Sequence, residues 1–231
     1  MPLPDRSDPT SAPAVLRPLL LAHRGHRAAG PENSLRSIVA AFSVCDGAEV
    51  DVLVTSDGTA ILSHDDRLPD GTAVRSLSIA EVRRLVRASD DDVPTFEAVL
   101  DALGDRLARG LWNVELKVPG AARALRPFAS RLTGVVFTSF YVTEVLEARA
   151  YFPERTTGLL TSRAEIPFVP PGVELLSVRH PALAAVRAAR PSARLFAWTI
   201  NDAEAAERAR AANCEVWIGD DVATLRRFAG G

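Results

Sequence analysis

Two histidines, an arginine, a lysine and three carboxylates of this 231-residue chain stand in or beside apolar runs, where charge is costly to bury. His23 and Arg24 end the run LLLAHR (19–24), and His64 follows AILS (60–63). Glu49 and Asp51 lie two apart in AEVDVLVT (48–55), so an extended backbone points both to one face. Glu115 and Lys117 do the same in LWNVELKV (111–118). A strand that carries two acids on one face must expose that face or be given a cation. Three carboxylates with open positions for water and a substrate oxygen suit Mg²⁺ or Ca²⁺ better than Zn²⁺, which favours His and Cys. Arg24 and Lys117 add positive charge nearby, which points to an anionic substrate such as a phosphate; pairing with the acids is the structural alternative. Two histidines fit the cleavage of a phosphodiester, one taking a proton from the attacking hydroxyl and the other giving one to the leaving alkoxide.

These residues need a frame that brings three separate segments together. The apolar run 19–23 predicts a buried parallel strand. A loop with Gly30 and Pro31 follows, then a helix over 34–45 with Asn33 or Ser34 as N-cap. Asp57-Gly58 between two β-rich runs predicts a hairpin from 48–55 into 60–63, carrying His64 back toward the acids. Helices are expected over 78–86 and 96–103, and a strand over 111–118. Downstream the pattern predicts helices over 121–132, 142–150, 182–189, 203–211 and 222–228, with strands over 135–138, 156–160, 174–178, 194–199 and 215–219. Setting aside the hairpin strand, eight strands spaced by helices make an α/β (β/α)8 barrel with one extra short strand after the second. No glycine-rich phosphate fingerprint follows the first strand, which argues against an open doubly wound sheet.

The totals favour one domain, 18–231, after a flexible tail over 1–17 rich in Pro, Ser and Asp. The net charge of −2 comes from 27 basic and 29 acidic residues without blocks of one sign, so a nucleic-acid partner is not expected. A small-molecule substrate is. The tail lacks a signal-peptide core and no apolar run reaches the ~20 residues of a membrane span, so the expected setting is the cytoplasm, without stable membrane association. Cys45 and Cys214 read as free thiols.

Taken in order, His23-Arg24-Gly25, Pro31-Glu32-Asn33, Glu49-x-Asp51, Asp57-Gly58, His64-Asp65, Glu115-Leu116-Lys117, Ser139-Phe140 and Trp198-Thr199-Ile200-Asn201 resemble the motif series of the glycerophosphodiester phosphodiesterase family. The resemblance runs from Leu19 to about Asp220. It implies a TIM barrel, a divalent metal, and hydrolysis of glycerophosphodiesters to glycerol 3-phosphate and an alcohol, through a cyclic phosphate where the glycerol 2-hydroxyl attacks first. By position it implies Glu49, Asp51 and Glu115 as metal ligands and His23 and His64 as the acid–base pair, with His64 the favoured base. Arg24 and Lys117 match phosphate contacts, and Glu32 a polar residue that orients His or Arg or reaches the metal through water. Phe140 and Trp198 match aromatics at the barrel mouth or in its core. Two features depart from the family: Ser34 replaces the usual Thr, and Gly219-Asp220-Asp221-Val222 replaces a Thr-Asp followed closely by proline. A phospholipase D-like lyase acting on lysophospholipids and a catalytically silent barrel binding a phosphorylated metabolite are the alternatives.

Overall fold

The computed structural model describes residues 17–89, 91–166 and 168–230. The predicted tail, 1–17, lies outside the described residues apart from Arg17, which pairs with Asp46 at 3.0 Å.

In chain order the strands are β1 (Leu19–His23), β2 (Gly47–Val54), β3 (Ala60–Leu62), β4 (Leu111–Leu116), β5 (Val135–Ser139), β6 (Thr156–Thr161), β7 (Leu175–Arg179), β8 (Arg194–Trp198) and β9 (Val216–Gly219). The helices are α1 (Leu35–Val44), α2 (Ile79–Val86), α3 (Phe96–Leu103), α4 (Ala121–Leu125), α5 (Val142–Tyr151), α6 (Leu183–Ala189), α7 (Ala203–Ala211) and α8 (Val222–Ala229). Eight strands run parallel, and β1 pairs with both β2 and β9, so the ring closes as a barrel. The hairpin strand β3 runs antiparallel to the end of β2, with Val54 opposite Ala60, and lies outside the ring. Gly58 turns that hairpin at φ 78°, a conformation glycine adopts without a Cβ penalty.

Inside the barrel, Leu21, Leu111, Val136, Leu175, Phe196, Val216 and Ile218 pack into one cluster, so apolar side chains fill it and leave no pore. Larger clusters lie between the strands and the helices; in one of them Phe96 stacks on Trp112 with ring centroids 4.8 Å apart. Among the described residues no helix is long and apolar enough to cross a membrane.

Two predicted helical features differ. The helix expected over 121–132 stops at Leu125 and continues as a 3₁₀ turn over Arg126–Arg131, because Pro127 has no N–H for the α-helical ladder. The expected spacing of all eight strands by helices fails between β6 and β7, where the described residues of 162–174 form no helix. Pro170, Pro171 and Gly172 disfavour one there.

Candidate active site

The register of the first strands sets the site. His23 of β1 is level with Glu49 of β2, and Asp51 of β2 is level with Glu115 of β4, so alternation turns all three acids toward the barrel interior. One oxygen from each of Glu49, Asp51 and Glu115 lies within 4.8 Å of the other two. All three residues are buried, Asp51 to 1% exposure. Burial pushes the Glu49 carboxyl well above its usual range, and Asp51 and Glu115 push it further. Burial, then Asp51, raises Glu115 to about 7. Crowded, desolvated carboxylates of this kind call for a cation.

Part of that positive charge comes from the chain itself. The Lys117 ammonium is 3.4 Å from Asp51 and 3.5 Å from Glu115. Burial works to lower its pKa, but Glu115 and Asp51 outweigh burial and leave it raised. Lys117 is the only lysine in the sequence, against 26 arginines. Its compact ammonium is a point charge shared between two carboxylates, a role a planar guanidinium does not simply replace. Arg24 brings Nε to 3.2 Å from Asp51, close enough for ion pairing, yet that buried N–H has no hydrogen-bond partner. Its guanidinium also pairs with Glu32 at 3.1 Å, and its backbone N–H donates to Glu49 at 3.2 Å. Arg24 holds a left-handed φ of 58°, uncommon for a side chain of this size. Strain of this sort collects where a site is held in place by its surroundings.

Both imidazoles are anchored through Nδ1. His23 Nδ1 is 2.7 Å from Asp220, and its Nε2 is 3.8 Å from Glu49. The hydrogen bond from His23, helped by Asn201, holds the Asp220 carboxyl down to about 2. Asp220 is therefore an ionised acceptor at neutral pH, which fixes the proton on His23 Nδ1 and leaves Nε2 for the cavity. His64 Nδ1 is 2.7 Å from Asp65.

Of the sequence-predicted residues, His23, Arg24, Glu49, His64, Glu115, Lys117, Phe140 and Trp198 line one cavity of about 160 Å³ at the C-terminal ends of the strands. Phe140 and Trp198 meet edge to face with centroids 6.0 Å apart, forming an aromatic wall opposite the acids. Asp51 sits behind the lining. Glu32 is not part of the lining, and its contact with the site runs through Arg24.

Three contributors were not predicted. Asn33, in a left-handed conformation at φ 58°, donates to Asp51 at 3.0 Å and accepts from the Asp51 N–H at 3.1 Å. Ser34 takes the capping role of α1 and frees Asn33 for this clamp. Asp220 orients His23 from the departed last-strand loop, and Asn201 orients Asp220 by donating at 2.6 Å and accepting at 3.0 Å. The signals for Asn33 and Asn201 were their places in the Pro-Glu-Asn and Trp-Thr-Ile-Asn motifs; Asp220, 197 residues from His23, stood out only as part of the loop that departs from the family pattern.

Residues 23–123 match the model of the glycerophosphoryl diester phosphodiesterase family. A curated relative, the glycerophosphodiester phosphodiesterase of Caldanaerobacter subterraneus subsp. tengcongensis, is 26% identical over 240 residues, spanning 91% of this chain and 97% of its own. This chain therefore resembles the glycerophosphodiester phosphodiesterase family. Its fold is shared with solved family structures. A glycerophosphodiester phosphodiesterase from Parabacteroides distasonis superposes with a TM-score of 0.79 at 20% identity, covering 93% of this chain and 97% of that one. An Oleispira antarctica phosphodiesterase, solved in complex with the product sn-glycerol-3-phosphate, gives 0.75 at 21% identity over 93% and 97%. The family segment 23–123 contains the three acids, both histidines, Arg24, Glu32 and Lys117. Phe140, Trp198, Asn201 and Asp220 lie beyond it.

Proposed function

We propose that this chain is a metal-dependent glycerophosphodiester phosphodiesterase, releasing glycerol 3-phosphate and an alcohol. The observation that carries the reading is the convergence of Glu49, Asp51 and Glu115 with His23 and His64 at one cavity. Binding a phosphorylated metabolite requires no pair of proton-transferring imidazoles, which sets a silent barrel below an enzyme.

Glu49, Asp51 and Glu115 fit a hard divalent cation, Mg²⁺ or Ca²⁺, because they offer converging carboxylate oxygens in a buried pocket. Such a cation, when bound, neutralises charge on the phosphoryl oxygens and makes a neighbouring hydroxyl easier to deprotonate. Arg24 and Lys117 present N–H donors to the phosphate. Glu32 positions the Arg24 guanidinium. His64 takes the proton of the glycerol 2-hydroxyl as its oxygen bonds to phosphorus. His23 Nε2 gives a proton to the departing alkoxide as the bond from phosphorus to that alcohol breaks. A cyclic phosphate remains. In the second half His23 takes a proton from water, the water oxygen bonds to phosphorus, and His64 returns a proton to the glycerol 2-oxygen as the ring opens. Phe140 and Trp198 form the wall against which the organic part of the substrate rests. The partner is thus a small molecule, and free Cys45 and Cys214 fit a reducing, cytoplasmic setting.

Incubation with glycerophosphocholine and a divalent metal, followed by ³¹P NMR, tests the reading: glycerol 3-phosphate is the expected product. Choline phosphate, or an unchanged substrate, contradicts it. The His assignment is tested with glycerol 3-phosphate p-nitrophenyl ester, whose leaving group needs little protonation. His23→Ala is expected to retain far more of its activity on this ester than on glycerophosphocholine. Equal losses on both would remove the acid role from His23.

A further inference from the structure

The outer ring of helices is open where residues 162–174 link β6 to β7 without a helix among the described residues. Beside that link lies a groove of about 350 Å³ whose apolar walls are Phe140, Val142, Leu159, Ile166 and Phe168. Among the described residues lining it, Arg163 and Glu165 are charged and Thr161 and Ser162 carry hydroxyls. Phe168 is 55% exposed and Phe140 46%, so among the described residues two large aromatic side chains are left open to solvent here. An uncovered apolar surface next to a polar site marks a place for ligand. The groove adjoins the catalytic cavity, since Phe140 and Leu160 line both.

The cavity and the groove differ in chemistry. The cavity holds the acids, the histidines, Arg24 and Lys117, and suits a phosphate and the hydroxyls of glycerol. The groove is lined mainly by apolar side chains, with Thr161, Ser162, Arg163 and Glu165 as its polar part, and its apolar walls suit the other substituent on phosphorus if that substituent is apolar. We propose that the groove receives an alkyl or acyl chain carried on the alcohol that the reaction releases. The preferred substrates are then glycerophosphodiesters of long-chain alcohols rather than of small polar ones. This deepens, and rests on, the phosphodiesterase reading.

The test is a series of glycerophosphodiesters of ethanol, butanol, hexanol and octanol, assayed as the full chain with Mg²⁺ or Ca²⁺, with glycerophosphocholine and lysophosphatidylcholine alongside. kcat/KM is expected to rise roughly two- to fourfold per methylene along the alcohol series until the groove is full. Phe168→Asp is expected to bring the octyl-to-ethyl ratio of kcat/KM close to one, and Phe168→Leu to preserve it. Phe168 is exposed, so an unchanged melting temperature separates this effect from misfolding. A flat series with all members turned over would overturn the proposal and leave the phosphodiesterase reading standing. Lysophosphatidylcholine cleaved faster than the octyl ester would also overturn it, since the chain would then enter on the glycerol side. No turnover of any substrate would fail the phosphodiesterase reading, and with it the proposal.

Discussion

The two sides of the barrel mouth are built from the same strand geometry and carry opposite chemistry. The ends of β1, β2 and β4 present His23, Glu49, Asp51, Glu115 and Lys117, held by ion pairs and hydrogen bonds. The ends of β5, β6 and β8 present Phe140, Leu160 and Trp198, held by packing. The first side lies within the segment that matches the family and the second lies beyond it. Under the proposed function the contrast is a division of labour: the first side would perform the proton transfers and hold the phosphate, while the second would shape what is attached to it.

Substitutions on the two sides should therefore change different kinetic constants. The largest effect is expected for His23→Ala or His64→Ala, which should lower kcat by ~10²-fold or more while metal binding, followed by calorimetry, persists. Full activity in either variant would remove that histidine from the mechanism. Asp220→Asn keeps the shape but loses the ionised acceptor that fixes the His23 tautomer, so kcat should fall by roughly 10- to 100-fold with little change in KM. Lys117→Arg is not conservative between two carboxylates, and a fall of about 10-fold in kcat/KM is expected. Phe140→Ala should give the smallest effect, a few-fold rise in KM. If Phe140→Ala lowered kcat as far as the histidine variants do, the contrast between the sides would collapse.

The strands, most helices and the hairpin were readable from the sequence because period and turn chemistry are local. So were the acids and the histidines, since charge inside an apolar strand is conspicuous wherever the strand ends up. What the sequence concealed were contacts between distant segments. Asp220 was visible only as a departure in the last-strand loop, yet it holds His23 across 197 positions. Asn33 looked like a capping residue and turned out to clamp Asp51, because Ser34 took the cap. The open stretch after β6 was already legible, since no helix was expected between the strands over 156–160 and 174–178 and its prolines were in plain view; only the count of eight strands spaced by helices passed over it.

Protonation adds a condition to the candidate metal site. Glu115 is raised to about 7 and Glu49 well above its usual range, so below neutral pH the metal-free site carries protons that the unfolded chain does not hold. The metal-free protein should lose stability as pH rises from about 4.5 through 7, the window in which Glu115 gives up its proton in the folded state. A divalent cation competes with those protons, so the rise in melting temperature on adding Mg²⁺ or Ca²⁺ should be larger at pH 8 than at pH 5. An equal rise at both pH values would place the ion away from these acids.

The most direct measurement is ³¹P NMR of glycerophosphocholine turnover by the metal-stripped protein, titrated first with Mg²⁺ or Ca²⁺ and then with EDTA, beside Glu115→Gln. The account predicts glycerol 3-phosphate only when metal is present, loss of activity on chelation, and a Glu115→Gln variant that needs far more metal. Undiminished hydrolysis in EDTA, or a Glu115→Gln variant with the same metal requirement, would contradict it.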